Sequence, residues 1–211
     1  RDYQRPALYQ RELRGRTVGI VGYGGVGREV ARLSKALGLS VWAMNRSPIG
    51  PALDRFTPAD TGDPLGALPD RSFASGEWDA FLPNLDYLLL TVALNDATRG
   101  MIGAAQLDLL PAHAFLLNPA RAQLIEKAAL QSALHTGSIA GAALDSHYSE
   151  PLQPDDATWE LPNTIVTPHI SGSTSSPQYL PRLWELFGEN LRRFTAGAAL
   201  LNVVPAADLP V

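Results

Sequence analysis

Thr17-Val-Gly-Ile-Val-Gly-Tyr-Gly-Gly-Val-Gly27 is the stretch whose reading decides the fold. The apolar run Thr17–Val21 has the composition of a buried strand and leads directly into Gly22-x-Gly24-x-x-Gly27. A helical pattern follows, so the glycines stand in the strand–turn–helix context that a dinucleotide fingerprint requires. Gly22 permits the tight turn, Gly24 lets the backbone approach a pyrophosphate, and Gly27 lets helix and strand pack closely. The helix start then offers N–H groups without intrahelical partners, and the positive end of its dipole, to phosphates. Val26, Val30, Leu33 and Leu37 recur at helical spacing and predict an amphipathic helix over residues 25–37, with Gly38 placed to end it.

Outward from this stretch, strand-like runs alternate with helical patterns. Strands are predicted at 17–21, 40–44, 86–92, 114–118, 138–144 and 164–167. Helices are predicted at 25–37, 104–109, 126–135 and 177–195, with a short turn near 77–82. Continuous apolar strands separated by helices imply a parallel sheet covered on both faces, an α/β doubly wound (Rossmann) three-layer fold. Six strands suit the order 3-2-1-4-5-6, with the ligand crevice at their carboxyl ends. Residues 47–76 are rich in Pro, Gly and Asp, have little period, and read as a long surface excursion or lid. The last helix carries Leu180, Leu183, Phe187, Leu191 and Phe194 on one face, which is expected to pack against the body. Trp42, Trp78, Trp159 and Trp184 read as packing anchors.

Bulk composition narrows the function. The 211 residues are 45% hydrophobic and 18% charged, enough apolar material for a sizeable core. A net charge of −4 gives no footprint for nucleic acid. The absence of cysteine excludes disulfides and thiolate metal sites and fits a cytoplasmic protein. No apolar run reaches membrane-spanning length, and Arg1-Asp-Tyr-Gln-Arg5 is not a signal peptide.

Four further motifs follow in order: Thr91-Val-Ala-Leu-Asn-Asp-Ala-Thr98-Arg-Gly-Met-Ile102; Asn118-Pro-Ala-Arg121; Ala142-Ala-Leu-Asp145 with Glu150-Pro151 shortly after; and Leu161-Pro-Asn-Thr-Ile-Val-Thr-Pro-His169-Ile-Ser-Gly172. Their polar residues fall at the carboxyl ends of predicted strands, where the crevice would lie. With the glycine fingerprint, this ordered set resembles the nucleotide-binding domain of the D-isomer-specific 2-hydroxyacid dehydrogenase family, over residues 13–204. The resemblance implies hydride transfer between NAD or NADP and a 2-keto or 2-hydroxy acid, and a homodimer. The set expected to line the cofactor is Gly22, Tyr23, Gly24, Gly25, Val26, Gly27, Asn45, Arg46, Ser47, Thr91, Thr98, Asn118, Asp145 and Gly172. The resemblance sets Asp145 beside the nicotinamide carboxamide or as support behind it.

Chemistry agrees with the resemblance. Reducing a 2-keto acid needs a hydride donor, a proton donor at the carbonyl oxygen, and a cation to hold the substrate. His169 can donate the proton. Glu150 can pair with the other ring nitrogen and favour imidazolium. Arg121 offers a planar fork suited to a carboxylate and its neighbouring carbonyl. His147 shares a loop with Asp145 and Glu150 and is the competing proton donor. Asp145, His147, Glu150 and His169 have no metal-ligand spacing, and no metal is expected.

The chain departs from the family pattern. Ala122 follows Arg121 where Gly is usual, and Ser146-His147 follows Asp145 where Val-Phe is common. Asn45 stands where an acidic residue usually ends the second strand. An acidic residue there would hydrogen-bond a ribose 2′-OH and repel a 2′-phosphate; Asn45-Arg46-Ser47 therefore favours NADP, with NAD possible. The resemblance also implies a substrate lobe ahead of this domain. Residues 1–13 read as a connector from that lobe, 14–195 as the cofactor-binding domain and 196–211 as a tail. A polypeptide of this extent would bind cofactor with negligible turnover. The same fold also serves as a cofactor-sensing corepressor, the alternative reading, against which the trio Arg121, Glu150 and His169 argues.

Overall fold

A computed structural model describes residues 12–172 and 174–204. Most of the expected connector 1–13 and the end of the tail lie outside the described residues. Seven strands, β1 (Thr17–Val21), β2 (Ser40–Asn45), β3 (Arg71–Ala74), β4 (Tyr87–Leu90), β5 (Phe115–Asn118), β6 (Gly141–Leu144) and β7 (Thr164–Val166), form one sheet. Their order is β3-β2-β1-β4-β5-β6-β7, and every pairing is parallel. The helices are α1 (Gly25–Ala36), α2 (Trp78–Phe81), α3 (Ala104–Asp108), α4 (Lys127–Thr136) and α5 (Tyr179–Thr195).

Strand alternation builds two cores, one on each face of the sheet. Leu88 and Leu90 of β4 belong to one cluster, with Val21, Met44, Phe81 and Leu116. Leu89, between them, belongs to the other, with Val18, Ile20, Val41 and Ala43. Burial on both faces is what a continuous apolar strand in a parallel sheet signifies.

Four sequence expectations need correction. The sheet has seven strands, because residues 71–74, inside the expected excursion, form the edge strand β3. Only Phe73 of β3 is buried, so neither an apolar run nor alternation marked it. The helix α1 forms as expected, and Gly38 ends it with φ +82°. Its buried face, however, is Gly27, Arg28, Ala31 and Ser34, while Val26, Leu33 and Leu37 are exposed. Close approach to the sheet demands small residues: a Cβ on Gly27 would stand 2.3 Å from the Gly22 carbonyl oxygen.

Helix α5 buries none of its residues, and Leu180, Leu183, Phe187, Leu191 and Phe194 are all exposed. Periodicity establishes an apolar face but not what covers it. Among the tryptophans, Trp42 is buried, but Trp159 and Trp184 are exposed. Trp159 is held by its Nε1–H donating to the Gln153 carbonyl at 2.8 Å, not by burial.

The excursion after β2 is tied to the glycine turn. Buried Tyr23 donates its hydroxyl to Asp63 Oδ2 at 2.8 Å, and Arg28 Nη2 donates to the Gly50 carbonyl at 2.8 Å. Arg28 Nη1 also donates to the Asp63 carbonyl, and the Gly62 N–H donates to Glu29 Oε2 at 2.5 Å. Burial, then the Asp63 hydrogen bond, raises the Tyr23 pKa, so the phenol stays a donor. No helix among the described residues is long and apolar enough to cross a membrane.

Candidate active site

The site is assembled at the carboxyl edge of the sheet, where β1, β2, β4, β5, β6 and β7 each hand the chain to a loop. Gly22, with φ +93°, makes the turn out of β1. Gly24 precedes α1 with extended backbone and no side-chain cap, and the first turn of the helix has no acidic residue. A Cβ on Gly25 would meet nothing within 4 Å. An uncapped helix start beside an open glycine cradle fits the pyrophosphate of a dinucleotide.

Several of the expected cofactor residues direct their side chains into the protein. Asn45 Oδ1 accepts from the Tyr23 N–H at 3.1 Å and its Nδ2 donates to the Ser47 carbonyl at 2.9 Å. Thr91 donates to the Gly22 carbonyl at 2.6 Å, and Thr98 to the Ala93 carbonyl at 2.8 Å. Asn118, buried, accepts from the Ala120 N–H at 3.1 Å and donates to the Arg121 carbonyl at 2.8 Å. These groups shape the loops. Val26, Arg46, Ser47 and Gly172 are exposed.

Asp145 is buried at the end of β6. Its Oδ1 accepts from Thr167 Oγ1 at 2.6 Å and the Ile170 N–H at 2.9 Å, and its Oδ2 from the Ser171 N–H at 2.9 Å and the Ser171 hydroxyl. Burial pushes its pKa up, but the hydroxyls of Ser171 and Thr167 and the two N–H groups outweigh burial and leave it at about 2. One carboxylate thus ties down the whole turn that carries His169.

That turn brings His169 against Glu150. His169 has φ +55°, and its Nδ1 lies 2.9 Å from Glu150 Oε2, with both side chains 40% exposed. Glu150 Oε1 accepts the His147 N–H at 3.0 Å. The His169 hydrogen bond, then that from His147, holds the Glu150 carboxyl below the usual range. The Glu150–Pro151 peptide is cis. His147, the competing histidine, is buried, and its Nε2 lies 2.9 Å from the Thr167 carbonyl. It supports this loop from behind. Arg121 is exposed at the end of the β5 loop, its Nη1 donating to the Ala120 carbonyl at 2.8 Å.

Sequence reasoning passed over Thr167 and Ser171, although both sit two positions from His169. Their shared partner, Asp145, is more than twenty residues away, so no local pattern linked them. It also passed over Asp63 and Arg28, since a Pro/Gly-rich loop and a helix arginine read as solvated.

Comparison with known proteins identifies the family and agrees with the fold. The family model described as D-isomer specific 2-hydroxyacid dehydrogenase, NAD binding domain, matches residues 1–171. A glyoxylate reductase of Aeropyrum pernix is 33% identical over 193 residues, covering 92% of this chain and 52% of its own. The NADPH-dependent glyoxylate/hydroxypyruvate reductase of Sinorhizobium meliloti, in complex with NADP and sulfate, superposes with a TM-score of 0.77 at 28% identity, covering 98% of this chain and 60% of its own. A D-isomer specific 2-hydroxyacid dehydrogenase of Xanthobacter autotrophicus, in complex with NADPH, gives 0.74 at 29% identity, covering 97% and 75%. The chain spans from 33% to 56% of the length of the first curated relatives it matches.

Proposed function

The chain belongs to the D-isomer specific 2-hydroxyacid dehydrogenase family through its NAD-binding domain, and on that premise we propose that it forms the cofactor-binding part of an enzyme interconverting a 2-keto acid and a D-2-hydroxy acid. Residues 14–195 make up the domain, with 1–13 as the link to a substrate lobe. The observation that carries this reading is the 2.9 Å contact between His169 Nδ1 and Glu150 Oε2 at the carboxyl edge of the sheet.

A nicotinamide cofactor, when bound, supplies the hydride. Two residues of this chain act directly on the substrate, and a third orients one of them. Arg121 holds the substrate carboxylate and polarises the neighbouring carbonyl. His169, with Nδ1 turned to Glu150, delivers a proton from Nε2 to the carbonyl oxygen. The Glu150 carboxylate orients the ring and stabilises its protonated form. A pure cofactor sensor would have no use for this pair, which disfavours the corepressor reading.

NADP is the preferred cofactor in this proposal. Asn45 is neutral and its side chain is spent on Tyr23 and Ser47, so it positions the turn that presents Arg46 and Ser47. Arg46 can pair with a 2′-phosphate and Ser47 can add a hydrogen bond. Support comes from the solved relatives in complex with NADP or NADPH. A homodimer in the cytoplasm completes the proposal, and a purely monomeric sedimentation profile would count against the dimer.

The test is turnover of glyoxylate, hydroxypyruvate and other 2-keto acids by the parent protein with each reduced cofactor. Titration of NADPH and NADH into wild type and Arg46→Ala accompanies it. Absence of any 2-keto acid reduction overturns the activity. Equal binding of NADH and NADPH by wild type overturns the cofactor choice.

A further inference from the structure

We propose that Arg55, carried by the excursion after β2, is a ligand for the cofactor pyrophosphate. A Cβ built on Gly24 would have Arg55 Nη1 3.7 Å away, and no other atom of the described residues outside its chain neighbours comes within 4 Å. Gly24 is the glycine whose missing side chain lets a pyrophosphate approach the backbone. The guanidinium therefore stands beside the place where two phosphate charges would lie.

The position of Arg55 is built into the fold on both sides. The Asn202 N–H donates to the Asp54 carbonyl at 2.8 Å, and the Phe56 N–H donates to Asn202 Oδ1 at 2.9 Å. Asn202 itself adopts φ +56°. Beyond this grip, the Tyr23–Asp63 and Arg28–Gly50 hydrogen bonds fasten the rest of the excursion to the glycine turn and α1.

Among the described residues, Arg55 has no carboxylate within ion-pair distance, although Glu185 and Glu189 line the same crevice. Glu189 is already paired with Arg192 and Arg193. A cation on a fastened backbone, with no carboxylate partner among the described residues and beside an uncapped helix start, has the chemistry of a phosphate clamp. The dipole and the N–H groups bind the pyrophosphate from below, and Arg55 closes on it from the excursion.

This inference rests on the dinucleotide reading of the glycine turn and not on the preference for NADP. Dissociation constants of NADPH, NADH and ADP, measured by calorimetry or fluorescence on this chain, test it. Arg55→Ala is expected to weaken all three by about ten-fold and leave the NADPH/NADH ratio unchanged. Arg55→Lys should recover part of the loss. Asn202→Ala, which releases the loop, should weaken NADPH and NADH by a smaller, equal factor.

Because Arg55 is exposed, the melting temperature of Arg55→Ala without ligand should match wild type. A loss confined to NADPH would place Arg55 on the 2′-phosphate and overturn the pyrophosphate assignment, as would unchanged affinity for all three ligands. Failure of wild type itself to bind any of them would instead overturn the dinucleotide reading, and this inference with it. The NADP preference alone fails if wild type binds NADH as tightly as NADPH while Arg55→Ala weakens both.

Discussion

His147 and His169 meet at one atom. The Thr167 carbonyl oxygen lies 2.9 Å from His147 Nε2 and 3.0 Å from the His169 backbone nitrogen. Because a carbonyl only accepts, His147 carries its proton on Nε2. The His147 N–H meanwhile holds Glu150 Oε1. One buried residue therefore supports both halves of the Glu150–His169 pair, its ring through the Thr167 carbonyl and its backbone N–H through Glu150, from a position where the family commonly has an apolar ring.

His147→Phe removes the ring hydrogen bond and keeps the backbone one. In the parent enzyme, kcat should fall by about three- to ten-fold with KM little changed, the worth of one net hydrogen bond. His147→Gln, whose amide can donate to the same carbonyl, should recover most of the loss. Equal kcat in all three proteins would show that the Thr167 contact does not position His169.

His169→Ala should lower turnover by about 10²- to 10⁴-fold while leaving cofactor affinity unchanged, since a general acid acts on the reacting carbonyl and not on the dinucleotide. Glu150→Gln removes the anion facing the imidazolium, so the pH at which reduction fails should move down. Full pH–rate profiles for the parent enzyme and both variants check this, and an unshifted profile in Glu150→Gln removes the pairing from the mechanism.

Asp145 makes stability depend on acid. Its folded pKa of about 2 lies below the unfolded value near 3.8, so its contribution is fully present above the unfolded value and is lost as pH falls through about 2. The shift corresponds to about 2 kcal/mol. Urea unfolding of wild type between pH 5 and 2 should reveal that loss. Asp145→Asn should start about that much less stable and lack this component of the slope. Parallel curves for the two proteins would mean that the turn is not held by this carboxylate.

Two glycines two positions apart should behave oppositely. At Gly27 a Cβ would press 2.3 Å from a backbone oxygen, whereas at Gly25 it would meet open space. Gly27→Ala should cost about 1–3 kcal/mol, the range for overpacking, and abolish cofactor binding. Gly25→Ala should leave the melting temperature within a degree or two, on the order expected for an unstrained surface change. Thermal unfolding of both variants decides it, and similar losses in the two would contradict the packing described for α1.

Sequence alone determined the parts whose physics is local. Thr17–Val21 and the glycines after it specify a strand, a turn and a close helix, because the missing side chains act within a few residues of one another. The order of the motifs ending in Arg121, Glu150 and His169 was legible for the same reason: each marks the end of one strand, and a parallel sheet gathers all such ends at one edge. Tertiary structure decided what depends on partners distant in the chain. It chose the face of α1, where Gly27 and Ala31 win over Val26 and Leu33 because the backbone must come close. It revealed Arg71–Ala74 as an edge strand with a single buried side chain. It joined Asp145 to Thr167 and Ser171, Tyr23 to Asp63, and Asn202 to the loop of Arg55. A hydrogen bond between residues so far apart leaves no period and no spacing in the sequence; it exists only once the sheet has brought the two ends together.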